Sequence, residues 1–141
     1  MYLLKRLFQI TVLAFVFTIV SPATTVTATS AKRNYNDGIL TGIASFYAAK
    51  FEGRLTATGE VFRQKFFTAA SNLYKLNTWV RVTNLRNGKS VIVRVNDRMH
   101  PNMLKLGRVI DLSHTAAKTL GMTGHGLQKV KVEKVPAGTN S

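Results

Sequence analysis

The 141-residue chain contains no cysteine, only six acidic residues and no apolar run long enough to span a membrane. Without cysteine it can form neither disulfide bonds nor the thioether that attaches a lipid anchor, so we expect packing and hydrogen bonding to supply its stability. The longest apolar stretch, Leu7 to Val20, has about 14 residues, whereas a spanning helix needs about 20. The sequence contains no internal repeat long enough to predict a solenoid.

The amino terminus has the order of a secretory signal. Lys5 and Arg6 precede the apolar stretch, and small residues follow it up to Ala28. This order predicts a cleavable signal peptide over residues 1–28; an uncleaved membrane anchor is the alternative. We therefore expect an exported, soluble protein in the periplasm or outside the cell.

The rest of the chain is predicted to hold one domain. A stretch rich in Thr, Ser, Ala and Asn predicts a disordered leader over residues 29–38. The domain is expected over residues 39–135, and residues 136–141 are expected to form a flexible tail. This length allows one compact domain with a modest core.

Basic residues dominate the charge. The chain has 20 basic and 6 acidic residues, and removing Lys5 and Arg6 with the signal leaves a formal charge of +12. Such a surface favours an anionic partner. Export makes wall polymers and phospholipid head groups better candidates than nucleic acid, although a basic surface without a specific partner is also possible.

From Leu40 onward, short β-type runs separated by turns predict a compact barrel or sandwich with little helix. The clearest hairpin joins residues 79–83 and 90–95 through Asn87-Gly88, a pair suited to positive φ at both positions. One helix is predicted from Ser113, its cap, to about Leu120. Alternation over residues 127–133 predicts a last strand.

Two of the six acidic residues are candidates for catalysis. Glu60 ends a loop of small polar residues, and Asp97 directly follows the second strand of the hairpin. Two carboxylates that converge on a cleft are the minimum equipment for acid–base cleavage of a glycosidic bond. Alternatively, Glu60 is an exposed loop charge, and Asp97 forms a local turn or pairs with Arg98.

The other acidic residues point less clearly to chemistry. Asp37 and Glu133 are interpreted as solvated charges, and Asp111 as a carboxylate that stabilises a helix start. Glu52 is ambiguous. The three histidines, His100, His114 and His125, are too scattered for a metal site.

Aromatic residues flank the predicted first strand. Phe46, Tyr47 and Phe51 can form flat platforms for sugar rings, or they can pack into the core. The sequence contains neither a glycine-rich phosphate loop nor a serine nucleophile elbow.

Several separated motifs, in order over residues 40–134, resemble the rare lipoprotein A (RlpA) family. They are the segments 42–47, 51–60, 67–70, 80–90, 93–98 and 109–113. The resemblance implies a mainly β fold, a single six-stranded double-psi β-barrel with one or two short helices.

The resemblance also implies a lytic transglycosylase. Such enzymes cleave between N-acetylmuramic acid and N-acetylglucosamine in peptidoglycan glycan strands and leave 1,6-anhydro ends. The family's functional carboxylates correspond to Glu60 and Asp97. We expect Asp97 to be the acid and Glu60 to orient or deprotonate the muramic 6-hydroxyl, although the reverse is possible.

Substrate-binding roles are expected for Tyr47, Phe51, Arg98 and Ser71. We expect no metal, no cofactor, no nucleic-acid partner and no stable membrane anchor, and we expect a monomer whose partner is the glycan strand.

The chain departs from the family pattern at three places. Ser71 stands where many members have histidine, Glu52 adds a charge near the expected cleft, and residues 99–107 replace the usual loop after the Asn-Asp-Arg motif. The Ser71 departure favours a second hypothesis, an expansin-like protein that binds wall glycan without cleaving it. A third hypothesis, a basic effector or nucleic-acid binder, rests on charge alone.

Overall fold

The computed structural model describes residues 38–140. The predicted signal peptide and nearly all of the predicted leader lie outside this range. In chain order the elements are β1 (Ile39–Phe46), a short 3-10 helix (Ala49–Phe51), β2 (Thr68–Ala70), β3 (Trp79–Asn84), β4 (Ser90–Asp97), α1 (Asn102–Lys105), β5 (Arg108–Leu112), α2 (His114–Thr119) and β6 (Gln128–Val135).

The six strands close into a barrel in the order β1-β5-β2-β4-β3-β6. The pairs β1–β5 and β2–β4 are parallel, and the other pairs are antiparallel. Closure gives every strand two neighbours, so no strand edge is left open. The predicted fold, a mainly β double-psi barrel with short helices, is confirmed.

Alternating valines build the barrel interior from the β3–β4 hairpin. Val80 and Val82 of β3 are fully buried, as are the inward-facing valines of β4. The hairpin is confirmed, but the prediction for its turn is wrong at one position. Only Gly88 has positive φ there, because its N–H closes a wider turn on the carbonyl of Asn84 at 2.9 Å.

The predicted helix and last strand are also present. Ser113 caps α2 by accepting a hydrogen bond from the Ala116 N–H, which satisfies one of the free amides of the first turn. Val130 and Val132 of β6 are fully buried. Among residues 38–140, no helix has the length and apolarity needed to cross a membrane.

The pairing between β2 and β4 contains a bulge just before Asp97. Ala69 of β2 pairs with Val95, but Ala70 pairs with Asp97, so Asn96 is an extra residue on β4. A bulge changes the direction of the side chains that follow it. Asn96 and Asp97 line different pockets.

Candidate active site

A cleft of about 680 Å³ lies beside the end of β4. We call it the Asp97 cleft. Its lining includes Tyr47, Phe51, Phe62, Asp97, Arg98 and Asp111. Three of the residues expected from the sequence, Tyr47, Phe51 and Arg98, are therefore brought together with Asp97.

Three donors hold the Asp97 carboxylate. The Tyr47 hydroxyl donates to Oδ2 at 2.7 Å, and the backbone N–H groups of Ala57 and Arg98 donate to Oδ1 at 2.9 and 2.8 Å. Burial, then the hydrogen bond to Asp97, raises the pKa of Tyr47 well above its usual value. Tyr47 therefore keeps its proton and acts as a donor at neutral pH.

Aromatic rings form one wall of the cleft. The Tyr47 ring lies edge-on to Phe51, with centroids 5.5 Å apart, and 4.2 Å from the ring of Phe62. Lys50 and Arg54 lie 5.6 and 5.4 Å from the Phe51 centroid. The wall thus presents flat apolar surface and positive charge together. Both suit a sugar that carries a carboxylate.

Glu60 lines a neighbouring groove instead of the Asp97 cleft. Its carboxylate accepts hydrogen bonds from both terminal nitrogens of Arg94, at 2.9 and 2.7 Å, and from the Asn96 amide at 3.1 Å. The hydrogen bonds from Arg94, and then from Asn96, lower the pKa of Glu60. The sequence predicted that Glu60 and Asp97 would converge on one cleft; the structure places Glu60 in a groove beside the Asp97 cleft, where Arg94 and Asn96 hold its carboxylate.

Ser71 lies outside the Asp97 cleft. Its side chain is fully buried; its hydroxyl donates to the Val109 carbonyl at 2.8 Å and accepts from the Leu73 N–H at 3.2 Å. These partners occupy the hydroxyl, so the structure does not place Ser71 for contact with a ligand. Arg98 contacts this segment through its guanidinium, which donates to the carbonyls of Ser71 and Tyr74.

Asp111 is a cleft residue that the sequence interpretation missed. It belongs to β5, where it accepts hydrogen bonds from Arg108, at 2.6 Å, and from the Ser45 hydroxyl. The interpretation as a helix-start charge is wrong because the Asp111 carboxylate accepts hydrogen bonds from Arg108 and Ser45 instead of from the first amides of α2. The available signal was the strand pattern, in which Asp111 stands between the buried Ile110 and Leu112.

Asp97 differs from the other acidic residues of the described range in its partners. Each of the other four forms an ion pair with a basic side chain, at 2.6 to 3.4 Å: Glu52 with Arg63, Glu60 with Arg94, Asp111 with Arg108, and Glu133 with Lys131. Asp97 has no ion pair among these residues and is held by neutral donors. Residues 38–140 also contain no group of three potential histidine or carboxylate metal ligands.

Comparison with known proteins identifies the family. A family model described as lytic transglycolase matches residues 39–132. The chain belongs to the lytic transglycolase family. It is 49% identical over 94 residues to the endolytic peptidoglycan transglycosylase RlpA of Pasteurella multocida and 51% identical over 96 residues to that of Pseudomonas aeruginosa.

The family match concerns one part of these relatives. The aligned regions cover 67% and 68% of this chain but only 31% and 27% of the two relatives. Among solved structures, an expansin from Clavibacter michiganensis superposes with a TM-score of 0.54 at 21% identity, over 72% of this chain and 52% of the expansin. A papain inhibitor from Streptomyces gives 0.55 at 20% identity, over 70% and 94%. At these identities, the two structures show a shared fold.

Proposed function

We propose that this domain is a lytic transglycosylase that cleaves peptidoglycan glycan strands between N-acetylmuramic acid and N-acetylglucosamine, and that it leaves 1,6-anhydro ends. The observation that carries the proposal is that the Tyr47 hydroxyl orients the Asp97 carboxyl group within an aromatic cleft. Membership of the lytic transglycolase family and the names of the two relatives, both endolytic peptidoglycan transglycosylases, support the substrate.

We assign the acid role to Asp97 because it lines the aromatic cleft and forms no ion pair within the described residues, whereas Glu60 and Asp111 are each paired with an arginine. Three hydrogen bonds fix the orientation of the Asp97 carboxyl group. A protonated Oδ2 can still accept from Tyr47 while it donates its own proton to a substrate oxygen.

The proposed reaction consumes no water. Asp97 gives its proton to the glycosidic oxygen as the bond between that oxygen and C1 of the muramic residue breaks. The muramic 6-hydroxyl oxygen then bonds to C1, and its proton passes to the Asp97 carboxylate, which restores the acid. Ionised Glu60, fixed by Arg94, orients the strand beside the cleft. We place this reaction outside the cytoplasmic membrane, where peptidoglycan lies.

A solvent-isotope experiment tests the reaction class. The purified chain is incubated with intact and amidase-stripped peptidoglycan in water enriched in heavy oxygen, and soluble products are analysed by mass spectrometry. We expect 1,6-anhydro ends without heavy oxygen. Heavy oxygen at the new ends would indicate a hydrolase. Binding without products would favour an expansin-like protein.

A further inference from the structure

A second groove, of about 600 Å³, adjoins the Asp97 cleft. We call it the aromatic groove and define it by Val61, Phe66, Phe67 and Trp79. The first three are large apolar side chains that are 45%, 52% and 43% exposed. Trp79, the only tryptophan in the chain, is half-buried. Exposed apolar side chains gathered in one groove mark a binding surface.

Polar groups line the floor of the same groove. Thr68 and Asn96 both line it, and they are only 7% and 3% exposed. Among the described residues, three buried side-chain polar atoms have no hydrogen-bond partner, and Thr68 Oγ1 and Asn96 Oδ1 are two of them. Because buried polar atoms are normally paired, each unpaired one calls for an explanation. A small local shift on binding would let a ligand pair with them.

The Arg94 side chain joins the aromatic and polar parts of the groove. Arg94 is the cross-strand partner of Trp79 and donates to Glu60 and to the Asn77 side chain, at 2.9 Å to the latter. These hydrogen bonds fix its guanidinium, and Trp79 and Arg94 both line the groove. Aromatic rings with a few oriented polar groups are the usual composition of a site for a partly apolar, hydroxyl-rich ligand.

We propose that the aromatic groove binds the sugar residues of the glycan strand on one side of the scissile bond, while the Asp97 cleft binds those on the other side. The inference rests on the proposed function. Adjacent residues of β4 join the two surfaces, because Asn96 lines the groove and Asp97 lines the cleft. A strand that crosses this junction presents an internal bond to Asp97.

The chemistry of a glycan strand matches both parts of the groove. The C–H face of a pyranose ring stacks on Trp79 or Phe67, and its hydroxyl and acetamido groups can pair with the polar floor. A purely apolar partner would leave Arg94 and Glu60 desolvated without new hydrogen bonds, which is unfavourable.

Trp79 provides a direct test, since its emission reports this groove alone. Amidase-stripped glycan strands of increasing length are titrated into the Asp97→Asn variant, which holds them uncut, while Trp79 fluorescence is recorded. We expect emission to change with long strands and to change little with a disaccharide. In the active chain, Phe67→Ala should raise KM about tenfold for long strands and leave KM for the shortest cleaved strands unchanged.

Leu127→Ala is the matched control, because Leu127 is 60% exposed and lies outside both pockets. Phe66→Ala replaces Phe67→Ala if thermal unfolding shows that the latter is misfolded. If the active chain cleaves glycan, Trp79 emission does not change and Phe67→Ala leaves KM for long strands unchanged, the inference is overturned while the proposed function stands. An emission change without cleavage would contradict the function but keep the site. A change that depends on protein concentration alone would indicate self-association and overturn the site.

Discussion

At the scale of single residues, the proposed chemistry depends on the partners of each carboxylate. Asp97 is oriented by a phenol and two backbone amides, whereas Glu60 and Asp111 are each bonded to a guanidinium. Fixed donors hold the Asp97 carboxyl group in one orientation within its cleft. This difference separates the proposed acid from its two acidic neighbours.

The Tyr47 hydroxyl is predicted to position Asp97 for the reaction. Tyr47→Phe keeps the ring but removes the donor at 2.7 Å from Oδ2. A hydrogen bond to a charged group contributes about 1.5–3 kcal/mol, so we expect kcat to fall about 10- to 100-fold with little change in KM. Initial rates of 1,6-anhydro product formation give both constants. An unchanged kcat would exclude the positioning role.

The ion pair of Glu60 predicts a pH dependence of stability. The pKa of Glu60 is lowered from its ordinary value of 4.5, so its stabilising effect is present above that pH and is lost as the pH falls through the lower, folded value. The pair is partly exposed, which limits its contribution to about 1 kcal/mol. Urea unfolding should give wild type a higher free energy of unfolding than Glu60→Gln at neutral pH, and this difference should disappear in acid. A stability difference that persists in acid would show that it does not come from the ionised Glu60 carboxylate.

At the scale of elements, local patterns predicted the pieces but not their partners. The β3–β4 hairpin, α2 and β6 were predictable because alternating valines and the Ser113 cap are local signals. The parallel pairs β1–β5 and β2–β4 join distant segments, and no local pattern encodes them. The short runs predicted a compact barrel or sandwich, and only the family resemblance predicted the six-stranded double-psi barrel.

The same limit applies to the site. The sequence predicted Asp97 at a strand end with Tyr47 and Phe51 nearby, and the structure places them together. The sequence did not predict that Arg94 would hold Glu60 in the aromatic groove, because that contact joins residues 34 positions apart. Ser71 was predicted to bind substrate from its place in a family motif, but its side chain is buried against β5, where its hydroxyl donates to the Val109 carbonyl.

Close contact between β1 and β5 depends on Gly42. A Cβ atom at Gly42 would lie 2.2 Å from Val109 Cγ1, and Val109 is fully buried. Overpacking of this kind costs about 1–3 kcal/mol, so Gly42→Ala should lower the free energy of unfolding by that amount. Urea denaturation measures the change. Gly126→Ala, where a Cβ meets nothing within 4 Å, is the matched control, and equal effects would contradict the packing argument.

At the scale of the whole molecule, the charge is strongly unbalanced. The chain has 20 basic and 6 acidic residues, and four of the five acidic residues in the described range are already paired. Lys50 and Arg54, on the aromatic wall of the Asp97 cleft, form no ion pair among these residues. The surface is therefore suited to polyanions, including glycan strands whose muramic carboxylates are free.

This charge predicts a salt dependence that differs between two glycans. Binding of the Asp97→Asn variant to amidase-stripped strands should weaken as salt rises from about 0.05 to 0.5 M, because screening shortens the range of electrostatic attraction. Binding to neutral chitin oligosaccharides should change little. Titration calorimetry at several salt concentrations measures both. An equal response of the two ligands would show that charge does not contribute to recognition.

The central claim is that Asp97 performs the chemistry, and one comparison of product yields tests it most directly. Wild type, Asp97→Asn and Glu133→Gln are incubated with amidase-stripped glycan, and 1,6-anhydro ends are quantified by mass spectrometry. Glu133 is the control because it pairs with Lys131 on β6 and lines neither pocket. We predict abundant product from wild type and Glu133→Gln and none from a folded Asp97→Asn. Product from Asp97→Asn at the wild-type rate would contradict the account.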